Sequence, residues 1–121
     1  MLKKQILIID NEEDIVTLIR YFLKKDGHAV TCFTDSRKAL AELMNHHYKL
    51  IITDYCMYGL NGYELLTRAR NRYDQAIIIS SYLSEKKAAE IKAEKLAADF
   101  LEKPINSLKL RYIVKENMKN I

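Results

Sequence analysis

The sequence predicts a doubly wound α/β fold, a parallel sheet with helices on both faces. Two observations carry this. Five short apolar runs, at residues 6–9, 29–33, 50–52, 76–79 and 97–101 of the 121, are each followed by a segment of helical periodicity. The runs are continuous rather than alternating, the pattern of strands covered on both sides. Parallel neighbours need crossover connections of one hand, and these put helices on both faces of the sheet.

The elements follow in order. After the first run, Ile15, Leu18, Ile19, Phe22 and Leu23 form one apolar helical stripe. Glu12, Glu13 and Asp14 precede it and Lys24 and Lys25 close it, which complements the helix dipole, and Gly27 supplies a left-handed stop. The second helix, over residues 36–45, is expected to bury Ala39, Leu40, Leu43 and Met44. A third, over 63–72, follows Asn61-Gly62 and carries Leu65, Leu66 and Ala69 inward. Ser84 is the expected N-cap of a fourth helix running to about Lys95, whose outer face alternates Glu and Lys. Beyond Lys103-Pro104, Asn106 or Ser107 caps a fifth, with the stripe Leu110, Ile113, Val114, Met118 and Ile121.

Composition bounds the rest. At 14.2 kDa the chain fits one domain over residues 1–121, and 49% hydrophobic residues give it a core without staples, which excludes disorder. The charge, 20 basic against 16 acidic residues, is mixed and nominates no partner. Cys32 and Cys56 lack a C-x-x-C spacing and sit in apolar stretches, which suggests reduced core thiols in a cytoplasmic protein. The start, Met1-Leu2-Lys3-Lys4-Gln5, leads to a run of only four apolar residues before Asp10, far short of a signal core or a membrane span, so an untargeted soluble protein is expected.

In such folds ligands bind beyond the carboxyl ends of the strands. The residues there are Asp10-Asn11, Asp54, Ser80-Ser81 and Lys103. Each has a bland reading alone: a cap, a turn residue, a strand-end hydroxyl, a surface charge. Together they offer two carboxylates, an amide, a hydroxyl and an ammonium on one rim, which suits a hard cation such as Mg2+ with an anion bound against it.

With those residues in place, the chain resembles the receiver domain of two-component response regulators over essentially its whole length. The segments that carry the resemblance are Ile6-Leu7-Ile8-Ile9-Asp10-Asn11-Glu12, Asp54-Tyr55-Cys56-Met57-Tyr58-Gly59-Leu60-Asn61-Gly62, Ile77-Ile78-Ile79-Ser80-Ser81 and Phe100-Leu101-Glu102-Lys103-Pro104. The resemblance implies a flavodoxin-like three-layer (βα)5 fold with strand order 2-1-3-4-5. It implies that Asp54 accepts a phosphoryl group from a histidine kinase or phosphotransfer protein. Mg2+ would be held by Asp10, Asn11, Asp54 and the backbone carbonyl of Cys56. Lys103 would contact the phosphoryl group, Ser80 would be the switch hydroxyl, and Phe100 the aromatic that rotates inward behind it. A cis bond before Pro104 is implied as well. The output surface would be the fourth helix, fifth strand and fifth helix, serving a downstream protein, an output domain or a second copy. On this reading the chain is a switch rather than a turnover enzyme, at most dephosphorylating itself slowly. It binds neither nucleic acid nor membrane.

Three departures stand out. Asn11 replaces the second acid usual at that position, Tyr58 replaces the proline usual after Met57, and no glycine ends the fourth helix near Leu96-Ala97-Ala98. The first leaves an alternative open, a degenerate receiver that works by protein contact without phosphorylation. Other chemistries are weaker. His46 and His47 are adjacent and diverge on a helix, the three glycines form no phosphate-binding pattern, and Arg68, Arg70 and Arg72 are read as the solvated side of a helix. Cys56 has no histidine in a motif to activate it as a nucleophile.

Overall fold

The computed structural model describes residues 3–121. The chain alternates β1 (Lys4–Ile9), α1 (Glu13–Lys25), β2 (Val30–Phe33), α2 (Ser36–Asn45), β3 (Tyr48–Asp54), α3 (Gly62–Arg68), β4 (Tyr73–Ser80), α4 (Glu85–Ala93), β5 (Asp99–Glu102) and α5 (Ser107–Lys119). All strand pairs are parallel, in the order β2-β1-β3-β4-β5. The flavodoxin-like fold is therefore present.

Period-two alternation divides the core. Ile6, Ile8, Leu50, Ile52, Ile77 and Ile79 face Val16, Ile19 and Leu23 of α1 and Leu110 and Val114 of α5. Their neighbours Leu7, Ile9, Ile51 and Ile78 face Ala39, Leu43, Leu65, Leu66 and Ile91 from α2, α3 and α4. Order reverses between β1 and β3, so Asp10 and Asp54, at the carboxyl ends of those strands, flank the crevice where such sheets hold ligands.

Several boundaries differ from the sequence reading. Met44 is 41% exposed, because it lies about 100° around α2 from the buried Leu43. The third helix ends at Arg68 rather than residue 72, since Asn71 takes a left-handed φ of 73° and turns the chain into β4. Arg70 and Arg72 thus sit in a turn, with Arg70 donating to the Glu94 carbonyl. Lys95, at φ 59°, takes the left-handed stop after α4 in place of the missing glycine, and the Leu96 N–H closes back on the Ile91 carbonyl. Of the two caps considered for α5, Asn106 accepts from the Lys109 N–H; Ile121 falls outside the helix and is 40% exposed. Cys56 is exposed rather than a core thiol, and Cys32 is half-buried. The Lys103-Pro104 bond is cis. Among the described residues no helix is long and apolar enough to cross a membrane.

Candidate functional site

The rim is built from strand ends. Asp10 follows β1, Asp54 ends β3, Ser80 ends β4 and Lys103 follows β5, so one turn of chain beyond the sheet collects side chains far apart in sequence. The Lys103 side chain joins them. Its Nζ lies 3.0 Å from Asp10 Oδ2, 3.2 Å from Asp54 Oδ2 and 3.4 Å from Glu12 Oε1. Both aspartates are buried, Asp10 completely.

Electrostatically the rim is loaded. Burial raises the Asp54 carboxyl above its ordinary value, the adjacent Asp10 charge adds to this, and Lys103 only partly offsets them. Lys103 itself stays above the ordinary lysine value; burial works against its charge, but its contacts with Asp10 and Asp54 outweigh that. One Asp10 oxygen, Oδ1, accepts the Glu12 N–H at 2.8 Å. The other, Oδ2, is buried without a hydrogen bond of good geometry and has the Lys103 ammonium beside it.

That orphaned oxygen bears on a metal. Among the described residues no cluster of three or more His, Cys, Asp and Glu has the arrangement of a metal centre. The donor set here is of another kind: two buried carboxylates, the exposed Asn11 amide and backbone carbonyls, all oxygen donors. Such a set fits a hard cation that keeps several of its waters. The residues present therefore fit Mg2+.

Two further residues expected at the site are placed differently. The Ser80 hydroxyl donates to the Tyr82 carbonyl at 2.7 Å and accepts its N–H at 3.1 Å, so it is engaged with its own loop. Phe100 is half-buried against the α2, α3 and α4 side of the core. With Ile78, Ser80, Leu83 and Ala88 it lines a cavity of about 120 Å³. The sequence reading missed Glu12 as a partner of Lys103, having assigned it to the helix dipole. It also missed Asn117, a buried amide that ties α5 to Asp99 on β5 at 2.8 Å. Nothing in the α5 pattern separates that residue from a polar surface position.

Residues 6–115 match the response regulator receiver domain family. The chain belongs to that family. It is 31% identical over 107 residues to the response regulator GtcR of Aneurinibacillus migulanus, covering 88% of this chain and 44% of that protein. It is 29% identical over 111 residues to the regulatory protein VanRB of Enterococcus faecalis, covering 92% and 49% respectively. The chain thus spans about half the length of these relatives. Among solved structures, the receiver domain of Francisella response regulator 1452 superposes with a TM-score of 0.85 at 26% identity, covering 98% of both chains. A CheY-like receiver domain from Methanospirillum hungatei gives 0.87 at 24% identity, covering 98% of this chain and 96% of the other. As a receiver domain, the chain has its place among response regulators, consistent with two-component signalling.

Proposed function

We propose that this receiver domain is a phosphorylatable switch in which Asp54 takes a phosphoryl group from the phosphohistidine of a histidine kinase or phosphotransfer protein. The observation that carries the proposal is the Lys103 ammonium held between Asp10 and Asp54 at the point where strand order reverses. An Asp54 carboxylate oxygen would attack phosphorus as the bond to the donor imidazole nitrogen breaks, leaving an acyl phosphate and, once that nitrogen is protonated from solvent, imidazole. Such a transfer depends on positioning and on neutralising the phosphoryl oxygens. Lys103 is placed to supply one positive charge. Asp10, Asn11, Asp54 and the Cys56 carbonyl would hold Mg2+, which when bound supplies the remaining neutralisation.

Release of Ser80 from the Tyr82 backbone toward the new phosphoryl oxygens would open the side of the Phe100 cavity, coupling charge at Asp54 to the surface of α4, β5 and α5. That surface is proposed to meet an output domain or downstream protein. The chain would turn over only its own phosphate, slowly.

One observation favours a second reading. Asn11 leaves the rim one formal charge short, so a degenerate receiver would bind partners without phosphorylation. Acetyl phosphate or phosphoramidate, followed by intact mass, separates the two. One added phosphoryl group that requires Mg2+ and is absent from Asp54→Asn is expected. Equal modification of the variant refutes the site; no modification of the wild type favours the degenerate reading.

A further inference from the structure

We infer that Ser36, on α2, is a positioning residue for the loop that follows Asp54, and that through this loop it sets the affinity of the rim for Mg2+. The inference rests on the proposed function.

Residues 55–61 leave the end of β3 and return to α3. At the base of the loop the Gly62 N–H donates to the Tyr55 carbonyl at 2.7 Å. Between these ends Cys56, Tyr58 and Gly59 are exposed, and the chain's single proline, Pro104, lies elsewhere. The loop therefore has no residue whose φ is fixed by a ring, and its tip must be held by contact.

Ser36 supplies that contact. Its hydroxyl donates to the Tyr58 carbonyl at 3.1 Å and accepts the Leu60 N–H at 3.0 Å, bridging the two sides of the tip. Ser36 is 1% exposed and its bond to the Leu60 N–H is buried, so water does not readily take its place at that N–H. The loop also passes against it: a Cβ on Gly59 would come within 3.1 Å of Ser36 Oγ, and Gly59 has φ +92°. Side-chain burial of Leu60 fixes one end of the tip but leaves its N–H to Ser36.

Nor is the hydroxyl needed for its own helix. Asp35 caps α2, accepting the Arg37 and Lys38 N–H groups. Both bonds of Ser36 thus go to the loop 22 and 24 residues away. The loop carries the Cys56 carbonyl, and Cys56 stands two residues after Asp54, so its freedom is felt at the rim. Releasing the tip makes a cation organise that carbonyl at the cost of ordering the loop.

The test compares wild type, Ser36→Ala and Ser36→Thr by NMR. Without metal, the Leu60 amide of Ser36→Ala is expected to exchange at least tenfold faster, while the core amide of Ile52 moves only with global stability measured by urea melts. With MgCl2 titrated in, the midpoint read at the Cys56 amide is expected to rise at least threefold in Ser36→Ala and to return toward wild type in Ser36→Thr. Equal acceleration of the Leu60 and Ile52 amides, or an unchanged Mg2+ midpoint in Ser36→Ala, overturns the inference. A wild type that shows no Mg2+ response overturns the proposed function first and this inference with it.

Discussion

Lys103→Met removes the ammonium held between Asp10 and Asp54 and leaves these two carboxylates facing each other. With Nζ 3.0 Å from Asp10 and 3.2 Å from Asp54, each attraction is about 5 kcal/mol at an effective dielectric near 20. Protonation of one aspartate and entry of water return part of this, and loss of one partner from a buried ion pair typically costs about 3–5 kcal/mol net. The metal-free variant is therefore expected to lose about 3 kcal/mol at pH 7.5, read from urea midpoints in EDTA at unchanged slope. The pH dependence has a definite sign. The Asp54 carboxyl already titrates above its ordinary 3.8, and removing Lys103 deletes the influence that lowers it. A carboxyl raised in the folded state opposes folding once ionised, so the penalty is full above its folded value and fades as pH falls toward the unfolded one. The deficit of Lys103→Met should accordingly shrink between pH 7.5 and 5. A loss below about 1 kcal/mol, or one equal at both pH values, would refute the idea that Lys103 neutralises the pair.

Three other perturbations probe the same rim. Asn11→Asp is expected to tighten Mg2+ binding and to lower the stability of the metal-free protein, because a third acid joins Asp10 and Asp54; Mg2+ titration by NMR with paired urea melts measures both, and an unchanged midpoint would mean that Asn11 does not face the metal. Gly62→Ala places a Cβ 2.7 Å from the Asp54 carbonyl oxygen and 3.1 Å from Tyr55 Cα, so backbone must shift, with a cost of about 1–3 kcal/mol and slower phosphorylation by acetyl phosphate. If both stability and rate survive, the loop closes less tightly than these distances state. Hydrolysis of the acyl phosphate needs an oriented water, which neither Cys56 nor Tyr82 orients; Cys56→Asn is expected to shorten its lifetime, followed by intact mass, and decay rates unchanged from wild type in both Cys56→Asn and Tyr82→Ala would remove the argument.

The sheet was legible because its strands are buried on both faces, and continuous runs such as Ile77-Ile78-Ile79 have few other uses in a chain of this size. The rim was legible for a related reason: a polar residue directly after such a run, Asp10 or Lys103, stands at a strand end whatever the details of packing. Boundaries were less so. β3 and β4 start earlier than their aliphatic runs because Tyr48 and Tyr73 enter the sheet and send their hydroxyls to Glu42 and the Leu96 carbonyl. An aromatic with a polar end reads equally well as surface. Helix ends depended on Asn71 and Lys95 adopting positive φ, which local sequence tolerates but does not announce. Ser36 was invisible for a stronger reason. Its partners are backbone groups of a distant loop, and no residue type at Tyr58 or Leu60 marks a carbonyl or an N–H that a serine will meet.

The parts of the rim form one balance on the proposed reading. Asp10 and Asp54 are kept buried and close although burial raises the cost of their charge, and Lys103 covers only one of two negative charges. The rim therefore holds an unmet demand for positive charge, visible in the orphaned Asp10 Oδ2. On the proposed function a cation would answer that demand and the phosphoryl group would then reverse it, so each step would change the local field by at least a full charge. Ser80 is positioned to register the change. Its hydroxyl is satisfied by the Tyr82 backbone, a neutral partnership that a phosphoryl oxygen would outcompete because charge-assisted hydrogen bonds are about twice as strong. Asn11 shifts this balance without removing it: with one acid fewer the metal-free rim is less strained, and less of the cation's binding comes from relief of repulsion. On the proposed function the departure at Asn11 would trade metal affinity for stability of the unphosphorylated state, and would place the threshold of the switch at higher Mg2+.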